Sequence, residues 1–472
     1  MTANDHQPVV ELPKTGACAI VHWILPADPG ANFIFDGMVR LIMDNSFTKL
    51  ELDNGLLVLL KEIHSAPITS LWMWYRVGSR NEVPGITGIS HWAEHMQFKG
   101  TKRFPAEVLD KAVAREGGYR NAMTFLDWTT YFETLPANKI DLALDLEADR
   151  MFNSIFDPQE VESERTVILS ERQGGENEPR FLLAEEVQAA AFRVHSYHHE
   201  VIGDKTDLET IQRDDLYRHY RAYYVPGNAI LTMAGDFSTG KMLDRIRELY
   251  EPLPGDTLPE HRTRPEPKQN GERIVNVEGP GETTYVEVVY HAPAASDPDF
   301  FPYLVADSLL TGPSSLNVFG GGISNKTSRL YQALVDKELS VSLQGGLTAT
   351  VDPFLHTIMA TVHPSSTPEA VVQAIDEEIK RVQDSPPPQA DVDRAVKQAR
   401  ALFAYGSESI TNQAFWMGYA EIFDSYEWFL SYLDQLTEVT PEQIQRIAQT
   451  YMRSSNRVLG VYRPARQVEV AA

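Results

Sequence analysis

The period of hydrophobic and polar positions changes several times along the chain, and each change marks an element. From Phe47 onward Leu50-Glu51-Leu52 alternates, Asn54-Gly55 is a hairpin turn pair, and Leu56-Leu57-Val58-Leu59-Leu60 resumes a strand. A second strand is expected at Ile68 to Val77, with a loop from Gly78 to Gly85 behind it. Ile89, Trp92 and Met96 then recur at spacings of three and four with no proline between them, which is the period of a helix. Another helix is expected from Ala106 to Glu116, ended by Gly117-Gly118. Tyr119 to Thr134 is rich in aromatic and β-branched residues and reads as strand, with a turn near Leu126-Asp127. Ile140 to Asn153 is helical. Asp157-Pro158-Gln159-Glu160 opens the next helix, with Asp157 as N-cap, proline in the first turn and Glu160 at the N3 position of a capping box.

Further helices are expected at Leu183 to Arg193 and Asp214 to Tyr223, and a strand at Asn228 to Ala234. Pro252 to Gly271 holds five prolines and many charges, the composition of an interdomain linker. Beyond it the order repeats. A strand at Thr284 to Tyr290, a loop with Pro293 and a helix from Phe300 to Leu310 parallel the strand at Ile68, its loop and the Ile89 helix. The second copy carries Leu304, Val305 and Leu309 at the matching turn and no metal ligands. Two halves of similar order suggest a duplicated domain. Residues 1 to about 44 show no clear period and are expected to form an extension.

The sequence of 472 residues is too long for one ordinary core. Its formal charge of −24 argues against a nucleic-acid binder, where a basic patch is required. Cys18 is the single cysteine, so an intrachain disulfide and a cysteine zinc site are both excluded, and any metal must be held by His and carboxylate. The first residues lack a basic, apolar secretory signal and the arginines of a mitochondrial presequence, and no uncharged apolar run reaches membrane length. A cytoplasmic location is expected.

Candidate chemistry centres on His91-Trp92-Ala93-Glu94-His95. At about 100° per residue, His91, Glu94 and His95 share one helix face. Two imidazoles one turn apart can grip a metal, and a carboxylate between them can take a proton from water. H-x-x-E-H is the inverted form of the H-E-x-x-H zinc peptidase signature. In the helix opened by Asp157, Val161, Glu164, Ile168 and Glu171 form the core-facing stripe, and two of these positions are carboxylates. Buried carboxylates need a cation or a hydrogen-bond donor. His195-Ser196-Tyr197-His198-His199 is expected to be a surface loop without metal. Gly320-Gly321-Gly322-Ile323-Ser324-Asn325-Lys326-Thr327 has Asn325 where a phosphate loop needs glycine, so it reads as a flexible loop before a helix at Ser328 to Lys337.

These pieces together resemble the pitrilysin-type zinc peptidases, the inverzincin family that includes the mitochondrial processing peptidase and bacterial two-subunit relatives. The likeness spans roughly Leu50 to Arg463. It is carried by Leu52-Asp53-Asn54-Gly55-Leu56, Val77-Gly78-Ser79-Arg80-Asn81-Glu82, Gly88 to Met96, Lys99-Gly100-Thr101, Gly118-Tyr119-Arg120-Asn121-Ala122 and Ser328-Arg329-Leu330-Tyr331. The resemblance implies an α+β fold of two homologous α/β domains, each a mixed sheet flanked by helices, arranged as a clam-like chamber. The expected division is an extension at 1–44, a zinc-binding catalytic domain at 45–252, a linker at 253–271 and a homologous non-catalytic domain at 272–472.

It also implies one zinc ion per chain, held by His91, His95 and Glu171, with Glu94 as general base and Glu164 orienting a histidine ligand from behind. Asn121, Ala122 and Phe98 are the expected substrate contacts, the first two on a strand to which a peptide adds as a further strand. In self-sufficient members the second half supplies an arginine and a tyrosine to the substrate and the oxyanion. Aligned from Ser328-Arg329-Leu330-Tyr331, those positions fall here on Val335 and Ser342. Valine has no donor and serine is too short, and losing such a donor costs about 10²–10³ in rate. The expected partner is therefore a homologous subunit carrying the Arg/Tyr pair, with a homodimer or a non-catalytic assembly subunit as alternatives.

Overall fold

The computed structural model describes residues 46–255, 258–259, 263–313, 315–317 and 322–465. The expected extension at 1–44 and Gly320-Gly321 of the glycine run lie outside them. Strands β1 (Thr48–Glu51), β2 (Leu57–Glu62), β3 (Ile68–Tyr75), β4 (Tyr119–Thr124), β5 (Thr129–Pro136) and β6 (Ala229–Gly235) form one sheet. Strands β7 (Arg273–Gly279), β8 (Tyr285–His291), β9 (Ser340–Leu347), β10 (Leu355–Val362) and β11 (Arg457–Pro464) form a second.

The two sheets share one connectivity. The first has the order β1-β2-β6-β3-β5-β4 and the second β7-β11-β8-β10-β9. In each, one parallel pair (β2 with β6, β7 with β11) is followed by three antiparallel pairings. β3 and β8 hold the same central place, so the repeat read from the order of elements is a repeat of sheet topology. β1, hairpinned onto β2 through Asn54-Gly55, is the strand without a counterpart. The fold is thus α+β with two mixed sheets, each flanked by helices.

Each half also lends a helix to the other. Leu71, Met73 and Tyr75 of β3 face the core that holds Ile89, Trp92 and Met96 of the His91 helix. Trp72 and Trp74 face the other way, against Phe415 of helix Ile410–Phe423 from the second half. Reciprocally, helix Pro179–Ala191 of the first half packs on β7, β8 and β11. There Gly460 lets the strand approach so closely that a Cβ would lie 2.3 Å from Val187 Cγ2. β3 is therefore covered on both faces, which explains its near-continuous apolar sequence.

One expectation needs correction. The His195–His199 stretch is not a surface loop: His195 and His199 are buried, with His195 Nε2 3.2 Å from Asp352 Oδ2 and Tyr197 OH donating to Asp127 at 2.6 Å. The second half docks on His195 and Tyr197 through Asp352 and Phe354, while His199 is buried beside Glu82 of the first half, and local composition reports neither. Described residues of the Pro252 to Gly271 stretch are bonded to both halves. The Glu266 carboxylate accepts from the backbone N–H groups of Arg193, Val194 and His195, and Gln269 is buried with its amide donating to Arg457 O.

Candidate metal centre

Helix Ile89–Met96 starts at Gly88, whose φ of 84° favours glycine. Its orphan N–H groups are met by Glu82, which accepts from Gly88 N and Ser90 N at 2.8 Å each. Burial, opposed by those hydrogen bonds, pushes the Glu82 carboxyl up to about 8. Helix Pro158–Glu176 begins with the expected N-cap and proline, the Asp157 carboxylate accepting from Gln159 N and Glu160 N, but without the return bond from Glu160 that a capping box needs. Glu160 itself turns toward Lys99, 3.6 Å away. The two helices pack against each other and bring their polar faces together.

His91 Nε2 and His95 Nε2 lie 3.9 and 3.8 Å from Glu171 Oε2. One ligand atom from each of the three residues falls within 4.8 Å of the others. Among the described residues this is the one cluster of His, Cys, Asp or Glu able to hold a metal in that way. The donor set fits a zinc ion. Both imidazoles present Nε2, and the other nitrogen of His95 is fixed, because Nδ1–H donates to Glu164 Oε1 at 2.8 Å. Burial, with the neighbouring His95, drives His91 down to about 3 and keeps it in the neutral form that ligates. Burial also acts to lower His95, but Glu164, Glu94 and Glu171 outweigh it and raise its pKa.

The stripe on the second helix is buried at Val161, Glu164 and Ile168 but not at Glu171, which is half exposed. Glu164 is therefore the carboxylate that burial obliges to find partners, and Glu171 stands where the stripe emerges on an open face. Two cavities of about 430 and 520 Å³ are lined by other residues. The bond to His95, Lys99 alongside, and burial in opposition hold Glu164 down at about 2.

Glu94 is buried and points to β4, where Thr124 Oγ1 donates to its Oε2 at 2.6 Å. Burial raises its pKa, while the Thr124 bond and His95 pull the other way. β4 is the outermost strand of the first sheet, so one side of its backbone is unpaired within the sheet. Asn121 is exposed on it and Ala122 half-buried, both in line with Thr124. Phe98 is half-buried, with the Arg120 and Arg150 guanidinium groups 4.8 and 5.3 Å from its ring centre. Val335 caps helix Arg329–Leu334, and Ser342 sits exposed on the edge strand β9, donating to Thr361 Oγ1. Thr124 and Lys99 are the site residues that the spacing argument missed. Their partners lie 30 and 65 residues away in the chain, and no local pattern joins them.

A duplicated mixed sheet with a His-x-x-Glu-His helix facing a later glutamate has relatives named as zinc proteases. Residues 57–205 match the family described as insulinase (peptidase family M16), and residues 210–399 match the peptidase M16 inactive domain. The chain belongs to peptidase family M16, the insulinase or pitrilysin type. It is 28% identical over 411 residues to the zinc protease PqqE of Helicobacter pylori, covering 86% of this chain and 90% of that one. It is 27% identical over 355 residues to a probable mitochondrial-processing peptidase subunit beta of Arabidopsis thaliana, covering 74% of this chain and 65% of that one. The crystal structure of a protease from Helicobacter pylori superposes with a TM-score of 0.82 at 27% identity, over 89% of this chain and 99% of that one. No helix among the described residues is long and apolar enough to cross a membrane.

Proposed function

We propose that this chain is a zinc-dependent endopeptidase that cleaves peptides or unstructured polypeptides, and that it is the zinc-carrying subunit of a heterodimer acting in the cytoplasm. The observation that carries the reading is the convergence of His91, His95 and Glu171 beside Glu94. Those three residues would hold one zinc ion per chain, a Lewis acid that polarises a carbonyl and acidifies water. Glu94, held by Thr124, takes the proton of the attacking water and delivers it to the leaving amine. Glu164 fixes the tautomer of His95. A substrate in extended form pairs with the free edge of β4 along Asn121 and Ala122, which lays its backbone past Glu94, with Phe98 as a flanking contact.

Support for a partner comes from two sides. Val335 and Ser342 offer no donors of arginine or tyrosine reach, and the proposed site lies on an open face that a second body would close into a chamber. The relative from Arabidopsis is likewise named as a subunit. In this reading 45–252 is the catalytic domain, 253–271 a linker and 272–472 its non-catalytic homologue. The test is zinc-dependent hydrolysis of an unstructured peptide by the chain alone and after mixing with a homologue that carries the Arg/Tyr pair. Activity only in the mixture is expected. Full activity alone overturns the division of the site, and no activity in either overturns the peptidase reading.

A further inference from the structure

We propose that Lys99 is a positioning residue of the metal centre, holding Glu164 so that Glu164 can hold His95. The proposal rests on reading His91, His95 and Glu171 as a zinc site. Glu164 is 6% exposed, and its two oxygens have separate tasks. Oε1 accepts from His95 Nδ1, while Oε2 forms an ion pair with Lys99 Nζ and has no hydrogen-bond partner among the described residues. Lys99 lies just past the C-terminal end of the His91 helix, and its own N–H donates to Met96 O at 3.0 Å, so the stem of the side chain starts from a fixed point. From there the ammonium reaches across to Glu164 and stands 3.6 Å from Glu160, both on helix Pro158–Glu176.

One cation therefore ties together the two helices that carry the three ligands. Without it, a buried carboxylate oxygen is left without a partner, which costs more than the bond itself contributes. The carboxylate then turns to find another donor, and the His95 ring loses the contact that sets its orientation. The consequence falls on metal affinity.

The experiment uses the full chain, stripped of metal, with zinc dissociation constants read by competition against a chromogenic chelator. Wild type, Lys99→Met, Lys99→Arg, Glu164→Gln and the Lys99→Met/Glu164→Gln double variant are compared, with melting of the metal-free forms as the check on folding. Lys99→Met is expected to weaken zinc binding about 10–100-fold, the range for partners of metal ligands. Lys99→Arg, which keeps the cation, recovers most of that loss. In the Glu164→Gln background, Lys99→Met adds less than about twofold, below the scatter expected of independent sites. If Lys99→Met does not fold, Lys99→Gln takes its place in the same comparison. Binding by the lysine variants at wild-type affinity, or losses that multiply in the double variant, overturns the proposal while leaving the metal site intact. A wild-type chain that binds no zinc, or that binds it equally after His91→Ala, overturns the metal-site reading and this proposal with it.

Discussion

Thr124 donates a 2.6 Å hydrogen bond to Glu94, and the bond joins the edge strand to the proposed base. Asn121, Ala122 and Thr124 lie on one short strand, so a peptide that pairs with its edge meets Glu94 through the same backbone. Thr124→Val keeps the shape and removes the donor. Turnover is expected to fall about tenfold, the worth of one hydrogen bond to a charged group. The Thr124 bond lowers the Glu94 pKa, so its loss raises that pKa and moves the acid limb of the pH–rate profile to higher pH. Steady-state kinetics across pH check both. An unchanged profile would separate Thr124 from the base.

Metal binding to the folded chain alone stabilises it by mass action, by about 2.7 kcal/mol at a hundred times the dissociation constant. The melting temperature is therefore expected to rise with zinc and to fall back on adding a chelator. His91→Ala removes a ligand and abolishes that shift. Glu94→Gln preserves it, because Glu94 is not among the clustered ligand atoms, yet lowers peptide turnover by about 10²–10⁴. A Glu94→Gln variant with full turnover would remove the catalytic assignment.

Local spacing made His91, Glu94 and His95 legible, because one helix face needs no knowledge of the rest of the chain. Glu171 is legible by period and by family likeness, but its exposure is not, since a stripe does not say where a helix runs out from under its neighbours. The repeat was visible as an order of elements. That β4 is an edge strand was implied by the family likeness alone and not by any local pattern, because strand order across a sheet is set by pairings between residues far apart in sequence. The same reason hid the exchange of helices between the halves, and with it the burial of His195. These follow from docking, which leaves no period in the sequence.

Two glycines in helices should respond with opposite sign to the same change. Gly174, in helix Pro158–Glu176, has nothing within 4 Å of an added Cβ, so Gly174→Ala gains helix propensity and stabilises by up to about 1 kcal/mol. Gly418, in helix Ile410–Phe423, would place that Cβ 2.1 Å from Trp74 Nε1. Trp74 is fully buried among Trp72, Trp128 and Phe415 and has no room to retreat. Overpacking of this kind costs about 1–3 kcal/mol, more than propensity returns. Denaturant midpoints should rise for Gly174→Ala and fall for Gly418→Ala. A rise for Gly418→Ala would mean that the two halves are not locked at this contact.

Glu287, on β8, gives the fold a pH dependence away from the metal centre. Its carboxyl is buried and Oε2 has no hydrogen-bond partner among the described residues. Burial first, and then the nearby Glu200 carboxylate, push its pKa up to about 8. In the unfolded chain the same group titrates near the ordinary glutamate value of about 4.3. Between those values the unfolded state has released the proton and the folded state still holds it, so stability falls as pH rises through that window and levels off above it. Glu287→Gln keeps the shape and cannot ionise. The variant is expected to melt close to wild type at pH 4.5 and above it by several degrees at pH 8.5, for a difference on the order of a few kcal/mol. Melting curves of the metal-free proteins across this range test it. Parallel curves would mean that Glu287 finds a charge partner in the folded chain, and the penalty for burying its carboxylate would then vanish.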